Sequence, residues 1–212
     1  MRDVTVAVPP SWPASSGVGL AVIIPARDER DGIARTIAMV QDALKGLPVS
    51  SEILVVDDGS TDGTGAIAAG AGVRVITHPL NLGYGVALRT GIQHTDAPVV
   101  AILDADCSYS PDAMARLYAR LDGADMVVGA RSLLSDGVPW IRRAPKWLLN
   151  RFASYLVGRR IPDLNSGQRV MRRDTVLRYL HLMPTGFSFT STITLAMMAN
   201  GHAVLYEPVP YA

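Results

Sequence analysis

The run from Val99 to Ile102, followed by Leu103, Asp104, Ala105 and Asp106, constrains this chain more than any other stretch. It is apolar, rich in β-branched residues and has no polar face, so it reads as a strand buried on both sides, the habit of parallel sheets. It stops at two carboxylates spaced i, i+2, and on an extended strand such side chains point the same way. Acids therefore crowd at the C-terminal end of a central strand, where open α/β sheets bind ligands. Such a pair repels itself unless a proton or cation intervenes, and oxygen-only ligation suits Mg2+ or Mn2+. The expectation is a divalent ion at Asp104 and Asp106 holding a phosphorylated substrate; solvated strand-end acids are the plainer alternative. Ser108 is a candidate third ligand through its hydroxyl or a water, and Cys107 is expected to be a small packed side chain.

Other segments repeat this logic. Leu20 to Ile24 is a buried strand ended by Pro25, and Ile33, Ile37, Val40 and Leu44 then mark one face of a helix led in by Asp28 and Glu29. Glu52 to Val56 is a second strand, ending at Asp57 and Asp58. Gly59 turns the chain, and Ser60 or Thr61 is expected to cap a short helix. Val73 to Ile76 is a third strand, and the Asn81 to Gly85 turn opens a helix reaching about His94. Ser110-Pro111 starts another helix with proline at its first position. Asp125 to Gly129 is a further strand. Helices are expected near Asp174 to His181 and over Ser188 to Asn200 with Gly201 as C-cap, and Ala203 to Tyr206 is the last strand. Alternating strands and helices imply an α/β fold with a mostly parallel central sheet flanked by helices and ligands at the strand tips.

A second tip carries Asp57 and Asp58, where carboxylates can accept hydrogen bonds from a base N–H or ribose hydroxyls; helix capping is the alternative, and Asp58 is the better ligand candidate. The polar loop Pro25 to Glu29 sits at the first tip and is explained equally well as a helix start. The Asn81-Gly83-Gly85 turn lacks the lysine and spacing of a P-loop and is not a GxGxxG fingerprint. Close backbone approach to a sugar-phosphate at Gly83 is weighed there against simple turn chemistry. The four histidines show no ligand spacing and receive no role.

At 212 residues, 49% hydrophobic and 18% charged, the chain can bury a substantial core. Its net charge of +1 gives no field calling for nucleic acid. The single cysteine excludes an intrachain disulfide and suits a reducing cytoplasm. Residues 1–18, rich in proline, serine and glycine, are expected to be a disordered or loosely docked lead and not a signal peptide. No stretch reaches the roughly 20 apolar residues of a membrane span. Base is concentrated between Arg131 and Arg160, where Arg142, Arg143, Lys146, Arg151 and Arg159 interleave with Trp140, Trp147, Phe152 and Tyr155 against Asp136 alone. Such a helix suits a membrane interface or a phosphate-rich partner. Arg131, Arg142, Arg143 and Arg169 with Ser166 are candidates to clamp a phosphate, against the alternative of a solvated basic face.

Taken together, Val55 to Asp62, Asn81 to Gly85, Leu103 to Asp106, Gly129 to Arg131 and Asp163 to Arg169 resemble, in order, a family 2 glycosyltransferase of the GT-A fold. Within it the chain is similar to the polyprenyl-phosphate, dolichol-phosphate mannose synthase-like branch, over about Leu20 to Tyr211. The resemblance implies a single GT-A domain over 19–212, with a nucleotide-sugar half at 19–130 and an acceptor half at 131–212. It implies a nucleotide-sugar donor of GDP-mannose or UDP-glucose type and a hexose passed with inversion to an isoprenoid phosphate. It further implies a cytoplasmic enzyme working at the inner face of a membrane. Asp104 and Asp106 are then the metal carboxylates, with Ser108 beside them, and Arg131 joins them as the catalytic group. Pro25, Arg27, Glu29, Asp57, Asp58, Gly83 and Ala105 belong to the nucleotide sugar, and Arg131, Arg142, Ser166 and Arg169 to the acceptor phosphate.

The chain departs from that branch in several places. Ala26-Arg27-Asp28-Glu29 stands for a Tyr-Asn-Glu sequence, so Arg27 is expected to alter base contacts. Ser108 stands for a frequent glutamine ligand, Tyr84 for a lysine or arginine, and Lys146 for a serine. The sequence also stops before the branch's Arg-x-Gly-x-Ser-Lys tail, as a truncated chain would. Two rival readings remain at this level: a GT-A enzyme with a soluble acceptor, and a non-catalytic nucleotide-sensing domain with an acid pocket.

Overall fold

The computed structural model describes residues 17–110, 112–131 and 140–210, and the side chains of 140–148 fall outside that description. Most of the lead, the Pro111 helix start and the side chains of Arg142, Arg143, Lys146, Trp140 and Trp147 therefore lie outside the described residues. In chain order the elements are β1 (Leu20–Ala26), α1 (Ile33–Leu44), β2 (Ser51–Asp57), α2 (Thr64–Gly70), β3 (Arg74–Thr77), α3 (Tyr84–Gln93) and β4 (Val99–Ile102). There follow α4 (Ala113–Ala119), β5 (Met126–Arg131), α5 (Trp140–Val157), β6 (Arg169–Arg172), α6 (Arg173–Tyr179), α7 (Phe189–Ala199) and β7 (Val204–Val209).

The strands form one seven-stranded sheet in the order β3-β2-β1-β4-β6-β5-β7. Its β3-β2-β1-β4 portion is parallel, β6 runs antiparallel to both β4 and β5, and β7 is parallel to β5. Alternation along the strands divides the core between two faces. Leu20, Val22, Ile24, Val55, Ala101, Val127 and Val170 pack under Ile33, Ile37 and Val40 of α1 and Met114 and Leu117 of α4. Ile23, Leu54, Val56, Val100, Ile102, Val128 and Met171 pack under Leu88 and Ile92 of α3, Val176 of α6 and Phe189, Ile193 and Met197 of α7. Helices on both faces are what buried strands of this kind require.

One local expectation is corrected. Helix α2 is not capped by Ser60 or Thr61: Asp62 Oδ1 accepts the Thr64 N–H at 2.9 Å, while Ser60 Oγ accepts the Asp28 N–H. Strand β6, which the sequence reading did not pick out, inserts between β4 and β5. Its parity puts Val170 on one face and Arg169 and Met171 on the other, toward α7.

Candidate active site

The chain leaves β1 to build β2 and β3 on one side, then crosses to build β4 on the other, so a topological switch point falls at β1. Register sets Ala26 beside Asp57 and Ile23 beside Ile102, which gathers three strand tips. The cavity there, of about 620 Å³, is lined by Pro25, Arg27, Glu29, Asp58, Gly83, Asp104, Ala105 and Asp106, and also by Tyr84, Asn165, Gly167, Phe187 and Thr190.

Each tip loop is held by polar contacts between loops. Asp28 bridges to the 60–64 loop, its Oδ1 accepting the Thr61 N–H at 2.9 Å, and Thr64 Oγ1 accepts the Glu29 N–H at 2.9 Å. Asp57 is buried, and its Oδ1 accepts the Ser60 N–H; it braces this turn and does not line the cavity. Asp58 lines the cavity, yet its oxygens serve the protein. Oδ1 accepts from His78 Nδ1 at 2.7 Å and from the Leu82 N–H at 2.9 Å, and Oδ2 accepts from the Gly83 N–H at 2.8 Å. His78 is 1% exposed, and its other nitrogen meets Thr90 Oγ1 at 3.0 Å. Gly83 has φ 104°, and a Cβ there would come within 2.5 Å of the Thr185 carbonyl oxygen, so glycine is required.

At the β4 tip, Tyr84 donates its hydroxyl to Asp104 Oδ1 at 2.8 Å, and its ring stacks on Phe187 with centroids 5.1 Å apart. A Cβ at Gly167 would overlap Asp104 Oδ2, so the backbone closes on the carboxylate from the other side. Asp106 is exposed, its Oδ1 accepting the Ser108 N–H at 3.0 Å. The loop is braced from α1, where Thr36 donates to the Ala105 carbonyl at 2.8 Å. Burial pushes the Asp104 carboxyl up, the Tyr84 bond opposes this, and the neighbouring Asp106 pushes it further. Glu29 is also raised, by burial and then by the charges of Asp106, Asp62 and Asp104. Tyr84 is held well above its ordinary value by burial and by Asp104.

These shifts describe carboxylates crowded about one space, and a cation among them would relieve the repulsion. No group of three or more His, Cys, Asp and Glu fit to hold a metal by itself is found among the described residues. Two carboxylates facing a cavity nevertheless fit Mg2+ or Mn2+, which usually take one or two protein carboxylates and fill other positions with substrate phosphates and water. Asp104 and Asp106 are the side chains that would hold it.

Of the remaining expected residues, Ser108, Arg131, Ser166 and Arg169 do not line the cavity. Ser108 uses its N–H on Asp106. Arg131 forms a two-pronged pair with Asp163, Nε to Oδ2 at 2.7 Å and Nη2 to Oδ1 at 2.8 Å. Burial alone would raise the Asp163 carboxyl, but this guanidinium overrides it and holds the group low. Ser166 is buried and donates to the Gly129 carbonyl. Arg169 is fully buried on the α7 side, donating from Nη1 to the Thr190 carbonyl at 2.9 Å and to Thr194 Oγ1 at 3.0 Å. Its charge and that of Arg131 still reach Asp104 and draw its carboxyl down. Arg142 is on α5, with its side chain outside the described residues. The sequence reading missed His78, Asn165 and Phe187. His78 carried no spacing signal, and Phe187 comes from a segment remote from the acids.

The model of the family described as "Glycosyl transferase family 2" matches residues 21–180. The polyprenol monophosphomannose synthase of Mycolicibacterium smegmatis is 32% identical over 206 residues, covering 90% of this chain and 76% of that protein. The dolichyl-phosphate hexose transferase of Haloferax volcanii is 31% identical over 194 residues, covering 91% and 82%. A low-salt glycan biosynthesis hexosyltransferase of the same organism is 32% identical over 198 residues, but the chain spans only 47% of its length. Among solved structures, glucosyl-3-phosphoglycerate synthase from Mycobacterium tuberculosis with Mn2+, uridine diphosphate and phosphoglyceric acid superposes with TM-score 0.73 at 19% identity, covering 98% of this chain and 77% of that one. That likeness establishes the GT-A fold.

Proposed function

The chain belongs to glycosyl transferase family 2, and from that premise we propose that it moves a hexose, with inversion, from a nucleotide-diphosphate sugar to a polyprenyl or dolichyl phosphate. The observation that carries this is the cavity at the switch point, lined by Asp104, Asp106, Glu29 and Asp58. The polyprenol- and dolichyl-phosphate enzymes similar over nine-tenths of the chain supply the acceptor class.

Asp104 and Asp106 hold the divalent ion, which when bound neutralises charge on the departing nucleoside diphosphate. Tyr84 and the Gly167 backbone fix the rotamer of Asp104 for that task. Pro25, Arg27, Glu29 and Ala105 form the nucleoside side of the cavity, and Arg27 brings a guanidinium to it. The Asp58 carboxylate acts by holding Leu82 and Gly83 in place, because the N–H groups of that turn are occupied. Asp57 braces the adjoining turn. An acceptor phosphate monoester has a second pKa of about 6, so near neutrality it is largely ionised and needs no strong base to attack the anomeric carbon. Arg131, paired with Asp163, adds positive charge to the wall on which that phosphate would sit, and Ser166 and the buried charge of Arg169 support the wall behind. The proposed place of action is the cytoplasmic membrane surface, where an isoprenoid phosphate is presented; among the described residues no helix is long and apolar enough to cross a membrane.

The test is a thermal-shift panel of UDP- and GDP-sugars with and without Mn2+, followed by transfer to dolichyl phosphate. One nucleotide should raise the melting temperature in a metal-dependent way, and Asp106→Ala should abolish the shift. Equal shifts in both proteins would overturn the metal site, and transfer only to soluble phosphates would overturn the acceptor.

A further inference from the structure

The segment 183–188, which leads into α7, carries Phe187 to the cavity. Its backbone is clamped to the first turns of α3. The Gly85 N–H donates to the Thr185 carbonyl at 2.8 Å, and Arg89 Nη2 donates to the Met183 carbonyl at 2.6 Å. A Cβ at Gly85 would overlap the Pro184 carbonyl oxygen, so the contact is close along its length. Phe187 is placed by these backbone contacts and not by burial, for it stays 82% exposed. Its ring rests on that of Tyr84, with 5.1 Å between centroids and 24° between planes. An apolar ring held in place yet left in water adds little to the core and is free to receive an apolar surface.

We propose that Phe187 is the platform on which the transferred hexose rests. Along the sheet the lining runs from Asp58 and Arg27 at the β2 and β1 tips, through Asp104 and Asp106 after β4, to Asn165 and Gly167 before β6. A donor with its nucleoside at the first two tips and its diphosphate at the acids carries its hexose beyond them. The wall there is uncharged, made by Asn165, Gly186, Phe187 and Thr190. Tyr84 fixes the spacing: its hydroxyl is on Asp104 and its ring is under Phe187, so the platform stands one ring-stack from a group touching the metal acid. A pyranose has faces of C–H bonds that pack on an aromatic ring, and the Asn165 amide and Thr190 hydroxyl put polar groups on the same wall. The inference rests on the nucleotide-sugar reading and deepens it by naming a side chain that reads the sugar.

The experiment is calorimetric titration of the whole chain, with Mn2+ present, using UDP-glucose and GDP-mannose and then the free nucleoside diphosphate of whichever binds. Phe187→Ala and Phe187→Leu should bind the nucleotide sugar about tenfold more weakly, the upper range for one aromatic stack. Both should bind the free diphosphate as the parent does. Phe187→Tyr keeps an aromatic face and should restore the affinity for the nucleotide sugar. Melting temperatures should hold in all three, because the ring is exposed. Equal weakening of nucleotide sugar and free diphosphate would place the effect on the nucleoside or on Tyr84 and overturn the proposal. So would a defect confined to the KM of the polyprenyl phosphate, which would make the ring a contact of the isoprenoid chain. A parent that binds the nucleotide sugar while Phe187→Ala binds it equally well sinks the platform alone. A parent that binds neither nucleotide sugar sinks the donor reading of the cavity, and the platform with it.

Discussion

Asp58 spends its carboxylate on the protein's own N–H groups, which makes its partners matter more than its charge. Buried His78 donates to it and leaves its other nitrogen to Thr90. Replacing His78 by alanine orphans buried groups, at about 1–3 kcal/mol. It also loosens the turn at Leu82 and Gly83. The expected result is a donor affinity about tenfold weaker, roughly 1.4 kcal/mol, with kcat little changed. His78→Asn, which keeps a donor near Nδ1, should restore most of it; calorimetric donor titration beside urea melts separates the two effects. Tyr84 acts on the other tip. Tyr84→Phe keeps the stack on Phe187 but removes the hydroxyl from Asp104. Partners that orient metal ligands typically carry about tenfold in metal affinity. The Mn2+ concentration giving half-maximal activity should therefore rise by that order while the melting temperature holds.

At the scale of elements, the ion pair of Arg131 with Asp163 ties the end of β5 to the loop before β6. Both side chains are mostly buried, so removing one partner strands the other, at about 3 kcal/mol. Asp163 is held below its ordinary pKa in the folded state. Its stabilisation is therefore complete above the unfolded carboxylate value and is lost as pH falls through the lower folded one. Urea midpoints of the parent and Asp163→Asn should differ by a constant amount near neutrality and converge in strong acid; a gap that widens on acidification would refute the sign. The same region shows what a sequence reveals about elements. β1, β2, β4 and β5 were legible because each is a buried apolar run that states its own burial. β6 is only Arg169–Arg172, bracketed by arginines, and its pairing comes from β4 and β5, both distant in the chain. Without β6 the parity of Arg169 was invisible, so a residue expected at the acceptor phosphate is found under α7. The acids at the tips were legible for the same reason as their strands. Tyr84 on Asp104 and Phe187 on Tyr84 are meetings of separate segments, and nothing local announces them.

At the scale of the molecule, the division expected at residue 130 does not split the sheet. Strands β6 and β7 follow that residue, yet β6 lies between β4 and β5, and β7 closes the far edge against β5. A fragment of 19–130 would keep β3-β2-β1-β4 but leave β4 with one neighbour and β5 with none. The α3 side of its sheet would also lose Val176, Phe189, Ile193 and Met197, all buried in the whole chain. Burying a large apolar side chain is worth about 1.5–3 kcal/mol, so these four alone approach the 5–15 kcal/mol by which a domain is stable. The fragment should therefore lack a cooperative urea transition and bind hydrophobic dye, whereas the whole chain should unfold in one step with coincident fluorescence and circular dichroism. A fragment that melted cooperatively and still bound a nucleotide sugar would show the donor half to be autonomous. Its failure would place donor site and acceptor wall on one folding unit, so that Gly167 can press on Asp104 only when β6 is paired beside β4.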